Sequence, residues 1–107
     1  MNEKRIRQIE RRIERIKEAL SQIGPMRPGS LTRQYKDRKN KSGAYWQISY
    51  TRQMKSRTEY VRGEWVEEIR RQIANHKRFK RLIDQWIDLD IERSKLTMQI
   101  AEPDATR

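Results

Sequence analysis

Apolar positions at the start of the chain recur at helical spacing. Ile6, Ile9, Ile13, Ile16, Leu20 and Ile23 are separated by 3, 4, 3, 4 and 3 residues, an a/d heptad seam, and Arg, Lys, Glu and Gln fill nearly every other position. The pattern predicts a helix over 1–23, driven by its isoleucine stripe because the charge pairs four apart are mixed in sign. Gly24-Pro25 is expected to stop it, with glycine as the C-cap and proline unable to continue. A longer set comprises Trp65, Val66, Ile69, Ile73, Phe79, Leu82, Ile83, Trp86, Ile87, Leu89, Leu96 and Ile100. It predicts a second helix from Glu64 to about Ala101, ended by Glu102-Pro103. Glu64, Glu67 and Glu68 place acid in its first turns, favourable to the helix dipole.

Between the helices the period changes to two. Ala44–Thr51 and Arg57–Arg62 alternate and are rich in aromatic and β-branched residues, which reads as a hairpin with a tight turn over Arg52–Lys55. That register sets Trp46 opposite Val61, Ile48 opposite Glu59 and Tyr50 opposite Arg57 on one face. The other face carries Tyr45/Arg62, Gln47/Tyr60 and Ser49/Thr58. Ser30–Lys36 adds a third strand, with Leu31, Arg33 and Tyr35 on one side, and Asp37–Gly43 is a basic turn. The expected fold is α+β: an N-terminal helix, a small antiparallel three-stranded sheet over 29–62, and a long C-terminal helix over 64–101 forming an antiparallel helical hairpin with the first. A single domain over 1–101 and a disordered tail over 102–107 complete the layout.

The two helices differ in length. The first seam measures about 26 Å and the second helix more than about 50 Å at 1.5 Å per residue. Pairing of the first helix with Trp65 to Ile83 leaves Trp86, Leu89, Leu96 and Ile100 without an internal partner. A two-fold homodimer through those four residues is the simplest way to cover them.

Charge changes the picture more than composition does. Apolar residues make up 34% of the chain and charged ones 38%, with mean hydropathy −1.19. So low an apolar content supports a thin fold with little central core. The net charge is +11, and it is concentrated. Gly24–Arg62 holds ten basic residues against only Asp37 and Glu59, whereas Gly63–Arg107 is balanced. The same basic segment contains Tyr35, Tyr45, Trp46, Tyr50 and Tyr60. Clustered cations interleaved with aromatic rings suit a polyanion, and nucleic acid is the leading partner.

The blocks GSLTRQYK, YWQISY, RTEYV and EEIRRQIANHKRFKRLI, spanning Gly29–Leu82, resemble an uncharacterised family of short basic prokaryotic proteins often encoded beside insertion-sequence transposases. The resemblance implies a mobile-element context and no established activity. In that family the position of His76 is commonly Tyr and that of Gly63 commonly Pro, so this chain departs from the pattern at both. Three short strands followed by a helix also resemble the arm-type DNA-binding domain of tyrosine-recombinase integrases. That likeness implies a sheet laid in the major groove, carried over to Arg33, Gln47, Ser49 and Thr58; no integrase catalytic domain follows.

The candidate phosphate ligands are Arg27, Arg33, Lys36, Arg38, Lys39, Lys41, Arg52, Lys55, Arg57 and Arg62, which position a protein on nucleic acid without reading its sequence. On the outer hairpin face Gln47 suits base edges, Ser49 and Thr58 permit close approach, and Tyr45 offers a ring. Arg70, Lys77, Arg78 and Arg81 fall near one side of the second helix as a possible clamp. Duplex DNA is the expected target. RNA stacking on Tyr45 and Tyr60 is an alternative, as is a protein-interaction module whose long helix docks a transposase. The expectation of no enzyme rests on the absence of GxSxG, P-loop and dinucleotide motifs. His76 is the sole histidine and there are no cysteines, so neither a metal set nor a cofactor site is expected; Asp84, Asp88 and Glu92 on one helix face are the only acidic candidates. No membrane span or signal peptide is read, and a cytoplasmic location in a prokaryote or phage is expected.

Overall fold

A computed structural model describes residues 2–101. The Glu102-Pro103 stop and the tail over 102–107 lie outside the described residues. The chain runs α1 (Asn2–Ser21), β1 (Ser30–Asp37), β2 (Ser42–Arg52), β3 (Lys55–Val61), a 3-10 turn (Gly63–Trp65) and α2 (Val66–Ala101). The fold is α+β, as the periodicity predicts. It packs as two compact units, one of residues 2–23 with 79–101 and the other of residues 24–78. Helix α2 contributes residues 66–78 to the second unit and residues 79–101 to the first.

The first unit is an antiparallel helical hairpin. Ile9, Ile13 and Ile16 of α1 bury against Leu89 of α2, with Leu20, Leu82, Trp86 and Leu96 packed around them. Polar contacts fix the direction: Asn2 Nδ2 donates to Gln99 Oε1 at 3.3 Å, and Arg5 grips Glu92 with two bonds of 2.7 and 2.8 Å. Nearer the other end of α1, Lys17 Nζ lies 5.4 Å from the centre of the Trp86 ring. Two sequence expectations are corrected here. Helix α1 covers the distal half of α2, not Trp65 to Ile83. Leu89, only 6% exposed, and the half-buried Trp86 and Leu96 therefore have partners within the chain, and Ile100 is 37% exposed. The physical reason lies in the second unit, where the sheet occupies the proximal half of α2.

The end of α1 also differs from expectation. Gln22 and Ile23 donate to Ala19 and Leu20, a tightened last turn. Gly24 is not among the residues with positive φ, so it does not supply a left-handed cap.

In the second unit the sheet has order β1-β2-β3, antiparallel throughout. Its register is the one that alternation predicts: Trp46 pairs with Val61, Ile48 with Glu59, and Tyr50 with Arg57. Ile48, Val61, Val66 and Ile73 form the core, with Leu31, Trp46 and Ile69 packed on it. Ile48 is fully buried, and such a side chain contributes about 1.5–3 kcal/mol through apolar burial. Gly29 makes this close approach possible. Its φ is +140°, and a Cβ there would meet Ile48 Cγ1 at 2.8 Å and Ser49 O at 3.1 Å, so a side chain fits neither the backbone nor the space. The segment before β1 is tied to α2 by Asn75 Nδ2 donating to Pro25 O at 2.9 Å and Arg27 N donating to Gln72 O at 3.2 Å.

Candidate nucleic-acid interface

Strand alternation divides the sheet into two chemically distinct faces. The face turned toward α2 holds Leu31, Arg33 and Tyr35 from β1, Trp46, Ile48 and Tyr50 from β2, and Arg57, Glu59 and Val61 from β3. The outer face holds Ser30, Thr32 and Gln34, then Tyr45, Gln47, Ser49 and Thr51, then Ser56, Thr58 and Tyr60. By the same parity Lys36 and Gly43 stand at the turn end of this face; apart from Lys36 every one of these outer side chains is uncharged, and none is a carboxylate. Short hydroxyls pair across the strands: Ser49 Oγ lies 3.2 Å from Thr58 Oγ1, and Thr51 Oγ1 lies 3.1 Å from Ser56 Oγ. Gln34 Nε2 donates to Thr32 Oγ1 at 3.3 Å. The Tyr45 and Tyr60 rings sit 6.5 Å apart, tilted by 38°, and Tyr60 is 69% exposed.

The two carboxylates of the basic segment are both occupied. Asp37 accepts from the backbone N–H and the side-chain amide of Asn40 at 3.2 and 2.9 Å, which closes the β1–β2 turn and holds its carboxyl below the usual range. Glu59 accepts from the Tyr50 hydroxyl at 2.6 Å and from Arg27 at 3.0 Å. Those two bonds lower its carboxyl, and the same Glu59 contact raises the Tyr50 hydroxyl.

These partners sort the sequence candidates. Arg27 is bound to Glu59 and lies over the Tyr50 ring at 5.1 Å. Arg33 pairs in register with Trp46 and lies 5.8 Å over Tyr35, so it shares the α2-side face and not that of Gln47, Ser49 and Thr58. Its grouping with those three is corrected: strand parity sends it to the other side. Arg57 is on that inner face as well, beside Tyr50. Arg62 pairs with Glu64 at 2.6 Å, and β3 ends at Val61, so the Tyr45/Arg62 pair is not part of the ladder. Arg70 pairs with Glu67 at 3.5 Å and stacks 5.1 Å over Trp46. Lys36, Arg38, Lys39, Lys41, Arg52 and Lys55 are exposed. The first four lie at or near the β1–β2 turn and the last two at the β2–β3 turn.

Beside β1, Arg70 and Lys77 line a groove of about 410 Å³ with Gly29, Ser30, Leu31, Ile73 and Ala74. Arg78 is exposed on α2, and Arg81 falls in the helical hairpin unit. His76 is half-buried on α2. Among the described residues no three His, Cys, Asp or Glu side chains gather as a metal site; of the acidic candidates, Glu92 is held by Arg5. No described helix is long and apolar enough to cross a membrane. The outer-face residues Ser30, Thr32, Gln34, Thr51 and Ser56 are absent from the sequence-derived set, although the alternation of Ser30, Thr32 and Gln34 with Leu31, Arg33 and Tyr35 carries the signal that places the first three.

A family model described as a domain of unknown function (DUF6788) matches residues 6–71, from α1 through the sheet into the start of α2. No curated protein and no solved structure matches the chain.

Proposed function

The chain belongs to the family described as a domain of unknown function (DUF6788), and for it we propose binding of duplex DNA through the outer face of the sheet. One observation carries the reading: an outward face of three strands whose side chains are uncharged hydrogen-bonding groups apart from Lys36 at its turn end, bordered by basic turns at both ends of β2. Three strands about 4.8 Å apart are about 10 Å across, within the roughly 12 Å width of the B-DNA major groove. Gln34 and Gln47 have the amide pair that matches adenine N6 and N7, and Ser49, Thr58 and Thr32 are short enough to bring the strands near base edges. Lys36, Arg38, Lys39 and Lys41 at one end and Arg52 and Lys55 at the other supply phosphate contacts. The mobile-element context that the sequence resemblance implies makes short inverted repeats the first duplexes to screen.

Fluorescence anisotropy over a salt series tests this. Neutralisation of four to six phosphates gives a slope of roughly −4 to −5 in log K against log salt. Lys39→Ala with Lys41→Ala lowers that slope by about 2, whereas Gln47→Ala weakens sequence discrimination by about 1 kcal/mol or more with the slope unchanged. Absence of duplex binding at low salt rejects the proposal.

A second reading has its own support in the exposed Tyr60 ring beside Tyr45, since stacking of an unpaired base on an aromatic ring contributes about 1–3 kcal/mol. Competition between duplex DNA, duplex RNA and single strands of equal length separates the two. Preference for single strands, lost on Tyr60→Ala, favours stacking. The docking of a transposase through Trp86, Leu89 and Leu96 has less support, because α1 already covers them.

A further inference from the structure

Helix α2 carries two heptad seams over the same turns. Leu82, Trp86, Leu89, Arg93, Leu96 and Ile100 follow spacings of 4, 3, 4, 3 and 4, and four of these pack directly in the core shared with α1. A second series, Ile87, Ile91, Ser94 and Met98, follows spacings of 4, 3 and 4. Its apolar members are 51%, 49% and 59% exposed, and with Asp90 and Lys95 they border an open groove of about 440 Å³. One partner helix needs one seam, and α1 takes the first. A second a/d seam on the outward side is the pattern a third helix requires.

We propose that this outer seam is the surface through which the chain pairs with a second copy of itself, α2 against α2, antiparallel about a two-fold axis. The seam is self-complementary in that orientation. With Ile91 and Met98 at a and Ile87 and Ser94 at d, an antiparallel pair sets each a against a d of the other helix. Ile91 then meets Ser94 of the second copy, and Ile87 meets its Met98, with no layer of two serines. Charge agrees. Asp88 and Lys95 both occupy e positions, and an antiparallel pair brings e beside e, so Asp88 of each copy faces Lys95 of the other, twice by symmetry. A parallel pair would instead need Asp90 for Lys95. Asp90 already accepts from Trp86 Nε1 at 3.0 Å and lies 2.7 Å from Arg93 Nη2. The seam has four positions over about three helical turns, a short contact beside the roughly 800 Å² per partner of a standard interface. The dimer is correspondingly weak, forming at concentrations on the order of 100 µM.

Sedimentation equilibrium between about 10 µM and 1 mM reads the association directly. The wild type should move from monomer to dimer across that range. Ile91→Glu should stay monomeric with unchanged helical circular dichroism, since Ile91 is half exposed and stands outside the core that α1 and α2 share. Asp88→Lys alone and Lys95→Asp alone should each raise the dissociation constant about tenfold, and the double exchange should restore it. A wild type monomeric throughout overturns the proposal. So does an Ile91→Glu variant that associates like the wild type, or a double exchange that fails to restore association.

Discussion

Gln53 and Met54 form the β2–β3 turn with φ of 52° and 63°. Two left-handed central residues are what a type I′ hairpin turn demands, and the residues that accept it without strain are Asn, Asp and Gly. Neither is present, so the turn is held by the ladder around it, from Arg52↔Lys55 to Trp46↔Val61. Met54 is 96% exposed and gives up no packing when replaced. Met54→Gly is therefore expected to stabilise the protein by about 0.5–1 kcal/mol, seen as a higher midpoint in urea; an unchanged or lower midpoint rejects this account of the turn. A second residue-scale effect concerns pH. Tyr50 first and then Arg27 hold the Glu59 carboxyl below its ordinary value. A depressed folded-state value means that its contribution is present above the ordinary glutamate range and is lost as pH falls through the folded value. Glu59→Gln should accordingly flatten the loss of urea resistance between about pH 5 and pH 3, and a profile as steep as the wild type's argues against it.

At the scale of elements, α2 is divided by what each stretch can find to pack on. Val66, Ile69 and Ile73 meet the sheet, Leu82, Trp86, Leu89 and Leu96 meet α1, and Ile87, Ile91 and Met98 face outward. Two residues a half-turn apart thus have opposite fates. Leu89→Ala removes a side chain that is 6% exposed and should cost about 2–4 kcal/mol through lost transfer energy and the cavity left behind. Ile91→Ala at low micromolar concentration should cost less than about 0.5 kcal/mol, because its side chain is half exposed and alanine is the better helix former. Urea melts of the two variants check the assignment, and equal losses would mean that the seam facing α1 has been misidentified.

At the scale of the whole molecule, two small cores replace the single large one that a chain of this length would ordinarily build. The charge excess of Gly24–Arg62 is also smaller in effect than in count. Ten basic residues stand in that segment, but Arg27 and Arg62 pair with carboxylates, and Arg33 and Arg57 lie on the face turned to α2. Six turn-region cations are left to meet a polyanion, which is why the expected salt slope stops near −5 and does not approach −9.

Both helices, the three strands and the register of β2 on β3 were legible in the sequence, because each follows from a local period such as the heptad spacing from Ile6 to Ile23 or the alternation from Ala44 to Arg62, whereas the pairing of β1 with β2 came from the folded sheet. The basic character of the sheet segment was legible too, since charge counts need no geometry. Which stretch of α2 each partner takes was decided only by tertiary structure. Leu, Ile and Trp are equivalent as apolar surface, and burial has no direction of its own, so nothing local distinguishes Leu89 as core from Ile91 as surface. The fate of each arginine was decided the same way: Arg27 reaches Glu59 and Arg70 reaches Trp46 across separations in sequence that only the folded sheet and helix bring within a few ångströms, and a cation's availability depends on the neighbours it meets in space.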